Sequence, residues 1–284
     1  MSTAEIQRTD QEILDRAAQD DIDAIAAYNP DPDAVLHEVQ DQADALFTWD
    51  YEKGSPPRLD RLYEKAKVSQ WNAQTDLDWS IDVDPLKAFS IFTESSNVNT
   101  GHWTEHPDSP AINWGDKEWG QFSVESFAWR LSQFLHGEQG ALLCTAKIVE
   151  TVPWIDAKYY AATQVVDEAR HVEVFNKYID EKVGVRYPVN PHLQLLIDDI
   201  INDSRWDMTY LGMQIMVEGL ALAAFGLMHQ VTTEPLLKKL LRYVMADEAR
   251  HVAFGVLSLQ EVYQDMTAQE VRERQEFAFE AGIR

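Results

Sequence analysis

The chain has a single cysteine, Cys144, among its 284 residues. No disulfide can close within it, and no thiolate cluster can hold a metal. Cationic side chains are also scarce: 24 Lys and Arg stand against 48 Asp and Glu, a formal charge of −24. That balance disfavours nucleic acid and anionic membrane surfaces as partners and suits a protein that docks a basic one. The first residues, MSTAEIQRTDQEILDR, contain no basic segment followed by an apolar run, so no secretory signal is expected. The longest apolar stretch, around 215–228, is interrupted by Glu218 and reads as too short to span a membrane. Alternating strand patterns are almost missing. What remains is an all-α protein, expected in a reducing cytoplasm.

One pentapeptide occurs twice, Asp-Glu-Ala-Arg-His at 167–171 and at 247–251, both times inside a long helix-forming stretch. In each copy Glu and His stand three residues apart, Glu168 with His171 and Glu248 with His251, which puts both on one helix face. A further glutamate lies thirty residues upstream of each, Glu138 and Glu218. The midpoints of these intervals are Pro153 and Thr233, the latter two residues before Pro235. Antiparallel hairpins turning there bring each upstream glutamate level with its Glu-x-x-His. Four carboxylates and two imidazoles then meet in a four-helix core, the inward-facing di-metal pattern. Carboxylate and imidazole ligands suit iron or manganese, with zinc not separated on ligand type alone. A lone charge such as Glu218 in MQIMVEGLALAAFGLM would be costly to bury unless a metal paired it.

Along the chain, residues 1–32 read as an acidic N-terminal arm, and 33–284 as a single helical domain with the di-metal core at about 118–266. A helix is expected from Asp33, with Val35, Leu36, Val39, Ala43, Leu46 and Phe47 on one stripe, and a second over 58–71. Residues 76–85 are turn-like, 86–95 helical, and 95–117 an aperiodic loop. The core helices are expected over 118–151, 153–183, 192–230 (broken near Asn202–Ser204) and 234–266, with a last helix starting at a Thr cap.

Metal-ligating histidines usually donate their second ring N–H to a carboxylate or carbonyl. Asp167 and Asp247, each preceding a predicted ligand glutamate, point toward a neighbouring helix. Asp167 is expected to hold His251 and Asp247 to hold His171, with Arg170 and Arg250 pairing the aspartates; the plain alternative is exposed i,i+3 ion pairs of little value. Ala141, Leu142, Phe175, Ala221, Leu222 and Phe225 fall one turn from predicted ligands, where they either pack the core or wall an apolar cavity around a reactive oxidant. Thr145 and Gln164 are polar candidates on the ligand faces for orienting a substrate. Gly212, Gly219, Ala223 and Gly226 form a small-residue stripe that suits close helix packing; His136 and His229 are not expected to be ligands. Trp71 or Trp79 could stand near the bundle for electron transfer, although packing explains both.

The sequence Glu138, DEARH, Glu218, DEARH resembles the ferritin-like di-iron oxygenases and oxidases, which include the small subunit of class I ribonucleotide reductase, bacterial multicomponent monooxygenase hydroxylases, acyl-carrier-protein desaturases and arylamine N-oxygenases. The resemblance implies two iron ions, with manganese or a mixed manganese–iron pair as alternatives, and dioxygen as co-substrate. It implies that Glu168 and Glu248 bridge and that Glu138 and Glu218 are terminal ligands. The implied activity is hydroxylation, N-oxygenation, or desaturation and cleavage of a small organic substrate, fed by a ferredoxin or reductase, in a homodimer. Departures are visible. Phe175 stands where the reductase subunit keeps its radical tyrosine, and Leu222 where the hydroxylases carry a threonine. Val244 stands where arylamine N-oxygenases carry a seventh ligand, a histidine. A storage or sensing di-metal protein and a manganese catalase-like enzyme are the competing readings; about a hundred N-terminal residues have no use in a bare storage bundle.

Overall fold

The computed structural model describes residues 36–52, 57–89 and 105–283. Among these it is helical, with no strand. The acidic arm at 1–32 and Asp33 and Val35 lie outside the described residues, as do 90–104 of the expected helix and loop. Helix α1 is Pro57–Val68 and α2 is Pro85–Phe89. The bundle begins with α3, Asp116–Thr151, whose Glu118 side chain reaches back to the Gly115 N–H at 3.0 Å. It turns into α4, Ile155–Tyr178, which widens into a π-helical turn, Ile179–Val183, and ends at Gly184 with φ of 83°, a left-handed position where glycine carries no Cβ penalty. Pro153 lies just outside α4, before the cap residue Trp154, rather than in its first turn.

Helix α5, Pro191–Asn202, is capped by Asn190, whose side chain accepts from the His192 N–H. The chain breaks at 203–205 and resumes as α6, a 26-residue run Trp206–Val231. Within α6, an α-turn Trp206–Thr209 gives way to a π-helix, Tyr210–Val217, and then to α-helix Glu218–Val231. The most apolar 18-residue window of α6 has a mean hydropathy of 1.6, enough by length and composition alone to pass for a membrane span, but the helix packs in the bundle with Glu218 and Phe225 buried. Helix α7, Pro235–Val262, starts after Glu234, whose carboxylate accepts from Leu236 and Leu237 N–H groups at 2.7 and 2.6 Å. Helix α8, Ala268–Ile283, opens with Thr267 and Glu270 exchanging side chain-to-backbone hydrogen bonds.

Residues 36–50 form no helix, which overturns the expected stripe from Asp33. Leu36 and Phe47 are exposed, and an amphipathic helix without a face to bury gains little from tertiary packing. The segment is held as an irregular strap instead. His37 meets Asp198, Asn202 donates to the Gln40 carbonyl, Asp41 pairs with buried Lys147 at 3.0 Å, and the Leu46 N–H donates to Glu150.

α3–α4 and α6–α7 form two antiparallel hairpins whose apolar residues collect at opposite ends of the bundle. One end holds Leu131, Leu135, Phe175, Tyr178, Phe225 and Leu237. The other holds Ile148, Tyr160, Tyr210 and Phe254, with Leu59 and Ala66 of α1. A third cluster, with Cys144, Ile197, Ile200 and Met213, seats α5. The small-residue stripe of α6 is not one seam. A Cβ on Gly212 would fall 2.6 Å from Ile200, whereas one on Gly219 would meet nothing within 4 Å. The six expected ligands lie in the polar layer between the two ends.

Candidate metal centre

Glu138 comes from α3, Glu168 and His171 from α4, Glu218 from α6, and Glu248 and His251 from α7. All six are buried, none more than 5% exposed. Ligand-type atoms of Glu138, Glu168, His171 and Glu248 lie within 4.8 Å of one another, as do those of Glu168, Glu218 and His251. His171 Nδ1 is 3.2 Å from Glu138, 3.3 Å from Glu168 and 3.1 Å from Glu248. His251 Nδ1 is 3.1 Å from Glu168, 3.6 Å from Glu248 and 3.9 Å from Glu218. Glu168 and Glu248 therefore each reach both imidazoles with different oxygens, while Glu138 serves one side and Glu218 the other.

Around this layer runs a closed ring of charge. His171 Nε2 lies 3.2 Å from Asp247, and His251 Nε2 lies 3.3 Å from Asp167. Arg170 pairs with Asp167 and reaches Asp247 at 3.5 Å; Arg250 pairs with Asp247 at 2.5 Å and Asp167 at 3.1 Å. All four are buried, so these are not exposed i,i+3 pairs. Holding each Nε2–H on an aspartate leaves each Nδ1 lone pair aimed at the centre. The His charges and hydrogen bonds hold Asp167 and Asp247 below the usual carboxylate range although burial opposes it.

The segment after α1 closes the ring, and sequence reasoning missed half of it. Gln70 donates to Asp167 at 3.2 Å and accepts from Arg170 at 2.7 Å. Trp71 donates its indole N–H to Asp247 at 2.7 Å, and the Arg170 guanidinium lies 4.9 Å from its ring centroid. Trp79 stands apart, bonded to the Ala73 carbonyl. No spacing rule links Gln70 to residues about a hundred positions away.

Burial raises Glu138 to about 8 and Glu218 well above its ordinary value, with neighbouring carboxylates adding to the push. Glu168 goes the other way: burial disfavours its charge, but His251 and His171 outweigh burial. Glu218 Oε2, both oxygens of Glu248 and His251 Nδ1 are buried without a hydrogen-bond partner. A carboxylate-rich buried site with unpartnered donor atoms and no thiolate fits two hard or borderline divalent cations.

Among the remaining candidates, Gln164 lies at the centre, donating to Glu168 at 2.9 Å and to Glu218 at 2.8 Å. Thr145 is fully buried with its hydroxyl unpartnered. Phe175 and Phe225 pack against each other and against Phe134, with ring centroids 5.5, 6.3 and 4.7 Å apart. That places both rings in a tight aromatic core rather than along an open cavity wall; Leu222 is half-buried. Val244 is fully buried in that same apolar cluster, so no histidine ligand is supplied there. His136 contacts the Tyr187 carbonyl and stands apart from the centre. Cys144 is buried, which pushes its thiol up and keeps it protonated.

Two helical hairpins that present a buried layer of four glutamates and two histidines define the ferritin-like di-metal carboxylate class. Solved structures share this fold. An R2-like ligand-binding oxidase with aerobically reconstituted Mn/Fe cofactor aligns at 20% identity and TM-score 0.54, covering 80% of this chain and 77% of the other. A variant of an R2-like ligand-binding oxidase with anaerobically reconstituted Mn/Fe cofactor aligns at 21% identity and TM-score 0.55, covering 80% and 81%. No curated protein matches the chain. Residues 52–282 match the family model described as P-aminobenzoate N-oxygenase AurF, and the chain belongs to that family. It is a dioxygen-dependent oxidoreductase of the ferritin-like di-metal type.

Proposed function

We propose that this protein inserts oxygen at the nitrogen of a small amine, using a pair of iron ions, or a mixed manganese–iron pair, held by Glu138, Glu168, His171, Glu218, Glu248 and His251. The observation that carries the reading is the family match across 52–282 joined to a buried Glu4His2 layer. Bound there and reduced, two such ions would supply the electrons that activate dioxygen. The chain's own residues do the rest. Glu168 and Glu248 reach both sides of the centre and suit bridging, and Glu138 and Glu218 suit one ion each. Asp167 and Asp247 fix the imidazole tautomers and orientations. The aromatic end around Phe134, Phe175 and Phe225 keeps water from the oxidant.

The reading requires an electron donor, and we assign its approach to the face of the α1–α2 connection. Trp71 is 8% exposed, stacks on Tyr243 at 5.0 Å and is hydrogen-bonded through Asp247 to His171. A basic ferredoxin-type or reductase partner suits a chain of charge −24, in the cytoplasm and with the chain as a homodimer. Storage is disfavoured because residues from outside the bundle, Gln70 and Trp71, complete the ring around the ligands.

The test is to load the protein with iron, reduce it, and mix it with dioxygen and a panel of anilines. One hydroxylamine and one water per reduced metal pair and dioxygen is expected, with nitroso or nitro product only when reductant and dioxygen are supplied continuously; uptake of many iron atoms per chain with no organic product would overturn the reading. Glu138→Ala and His251→Ala are expected to lose metal; full metal occupancy in both would sink the ligand assignment.

A further inference from the structure

The repeat that builds the centre is two-fold, but the residues at its two ends are not. Glu168 and Glu248 are 80 residues apart, as are Glu138 and Glu218. The same shift carries Phe134 to Gln214, Phe175 to Gly255, Thr145 to Phe225 and Gln164 to Val244. One end is therefore filled by Phe134, Phe175, Phe225 and Val244, all in the apolar cluster. The other has its own apolar cluster, with Tyr160, Tyr210 and Phe254, but at the four matching positions it presents Gln214, Gly255, Thr145 and Gln164. The correspondence holds in space as well as in register. Phe134 packs on Phe175, and Gln214 lies so close to Gly255 that a Cβ there would fall 2.6 Å from the Gln214 Cβ.

Thr145, Gln164 and Gln214 are each fully buried. Thr145 Oγ1, Gln164 Oε1, Gln214 Oε1 and Gln214 Nε2 have no hydrogen-bond partner. Buried polar atoms are nearly always paired, so unpaired ones from three separate helices on one end call for an absent partner. Gln214 carries a second mark: it lies in the π-helical stretch Tyr210–Val217 that leads directly into Glu218. Such a stretch often accompanies a functional site.

We propose that this end is the subsite for the reacting group of the substrate, and that the group is a neutral primary amine. Three of the four unpartnered atoms are oxygens able to accept N–H bonds, which an amine supplies and a carboxylate does not. Gln164 is bonded to both Glu168 and Glu218. Gln164 then has two tasks: its Nε2 holds the two glutamates, and its free Oε1 faces the guest. Thr145 and Gln214 are positioning residues, and the opposite, ring-packed end takes no part in binding. This inference rests on the N-oxygenation reading for the choice of amine.

The test is calorimetric titration of the metal-loaded protein with aniline, with benzoate as the comparison ligand. Thr145→Val keeps the shape and removes the hydroxyl; Gln214→Leu removes the amide. Each is expected to weaken aniline binding tenfold or more at unchanged metal content, while Leu131→Met at the other end stays within twofold of the parent. Aniline binding at parental strength in both Thr145→Val and Gln214→Leu overturns the subsite, as does benzoate binding as tightly as aniline. Should Gln214→Leu fail to fold, Thr145→Val decides alone. Product assays separate the two proposals. Aniline bound through these residues but never oxygenated overturns the reaction and leaves the subsite standing. Equal oxygenation by parent and both variants overturns the subsite and leaves the reaction.

Discussion

Asp247 accepts from the Trp71 indole at 2.7 Å and from Arg250 at 2.5 Å, and lies 3.2 Å from the His171 ring. Its charge balances two buried guanidiniums shared with Asp167, so the four-residue ring is neutral only while both aspartates are ionised. Asp247→Asn keeps the volume and removes the charge. The His171 N–H loses its anionic acceptor, and Arg170 and Arg250 are left sharing one carboxylate. Loss of such an outer partner typically costs 10- to 100-fold in metal affinity, roughly what is expected here, read by competition with a chromophoric chelator. An affinity within twofold of the parent would reduce the ring to packing. At this scale much was legible in the sequence. Asp precedes each Glu in the pentapeptide, and one helical step of 100° turns it from its own ion to the neighbouring helix. Gln70 was not legible, because nothing local marks a residue whose partners are brought to it only by the fold. Gln214 left a trace, a lone amide in an apolar helix one turn before Glu218.

Helices approach closely at only a few glycines, and these separate by what surrounds them. A Cβ on Gly212 would fall 2.6 Å from Ile200 Cγ1 and 3.1 Å from Phe277 Cζ, pinned between α5 and α8. A Cβ on Gly137 would meet nothing within 4 Å. Gly212→Ala is therefore expected to destabilise by about 1–3 kcal/mol through overpacking. Gly137→Ala is expected to stabilise by up to about 1 kcal/mol, because alanine exceeds glycine in helix propensity and the space is free. Chemical denaturation of both variants checks the pair; the same sign in both would refute the packing argument. Element existence was legible because long apolar periodicity with upstream caps survives tertiary context. The stripe from Asp33 is amphipathic, but while Val39 packs on the cluster that seats α5, Leu36, Leu46 and Phe47 are exposed, and hydrogen bonds to Asn202 and Glu150 replace a helix. The π-helical stretch in α6 has no mark in local propensity; within it Gln214 packs against Gly255 of α7.

At the scale of the whole molecule, six expected ligands on four helices make the metal pair a cross-link between the two hairpins. Without cations, the bundle buries four glutamates in its middle layer, with burial raising Glu138 and Glu218 and several oxygens unpartnered. That layer is the weakest part of a core otherwise filled by three apolar clusters, so stability should follow metal occupancy. A ligand bound only by the folded state adds about 2.7 kcal/mol at a free concentration of 100 times its dissociation constant. For a chain of this size each kcal/mol moves the midpoint by about 2–4 °C. Metal removal by chelation is thus expected to lower Tm by about 5–10 °C for one tightly held ion, and by more when both are lost. Scanning calorimetry before and after chelation, and again after iron is restored, checks the recovery. Glu218→Ala makes the control: one terminal ligand is missing and a buried carboxylate is removed, so its metal-free form should melt no lower than the metal-free parent, while its gain on adding iron should shrink. A parent Tm that ignores chelation would mean that the glutamate layer is stabilised by shared protons and the two histidines alone, and that the ions do not hold the hairpins together.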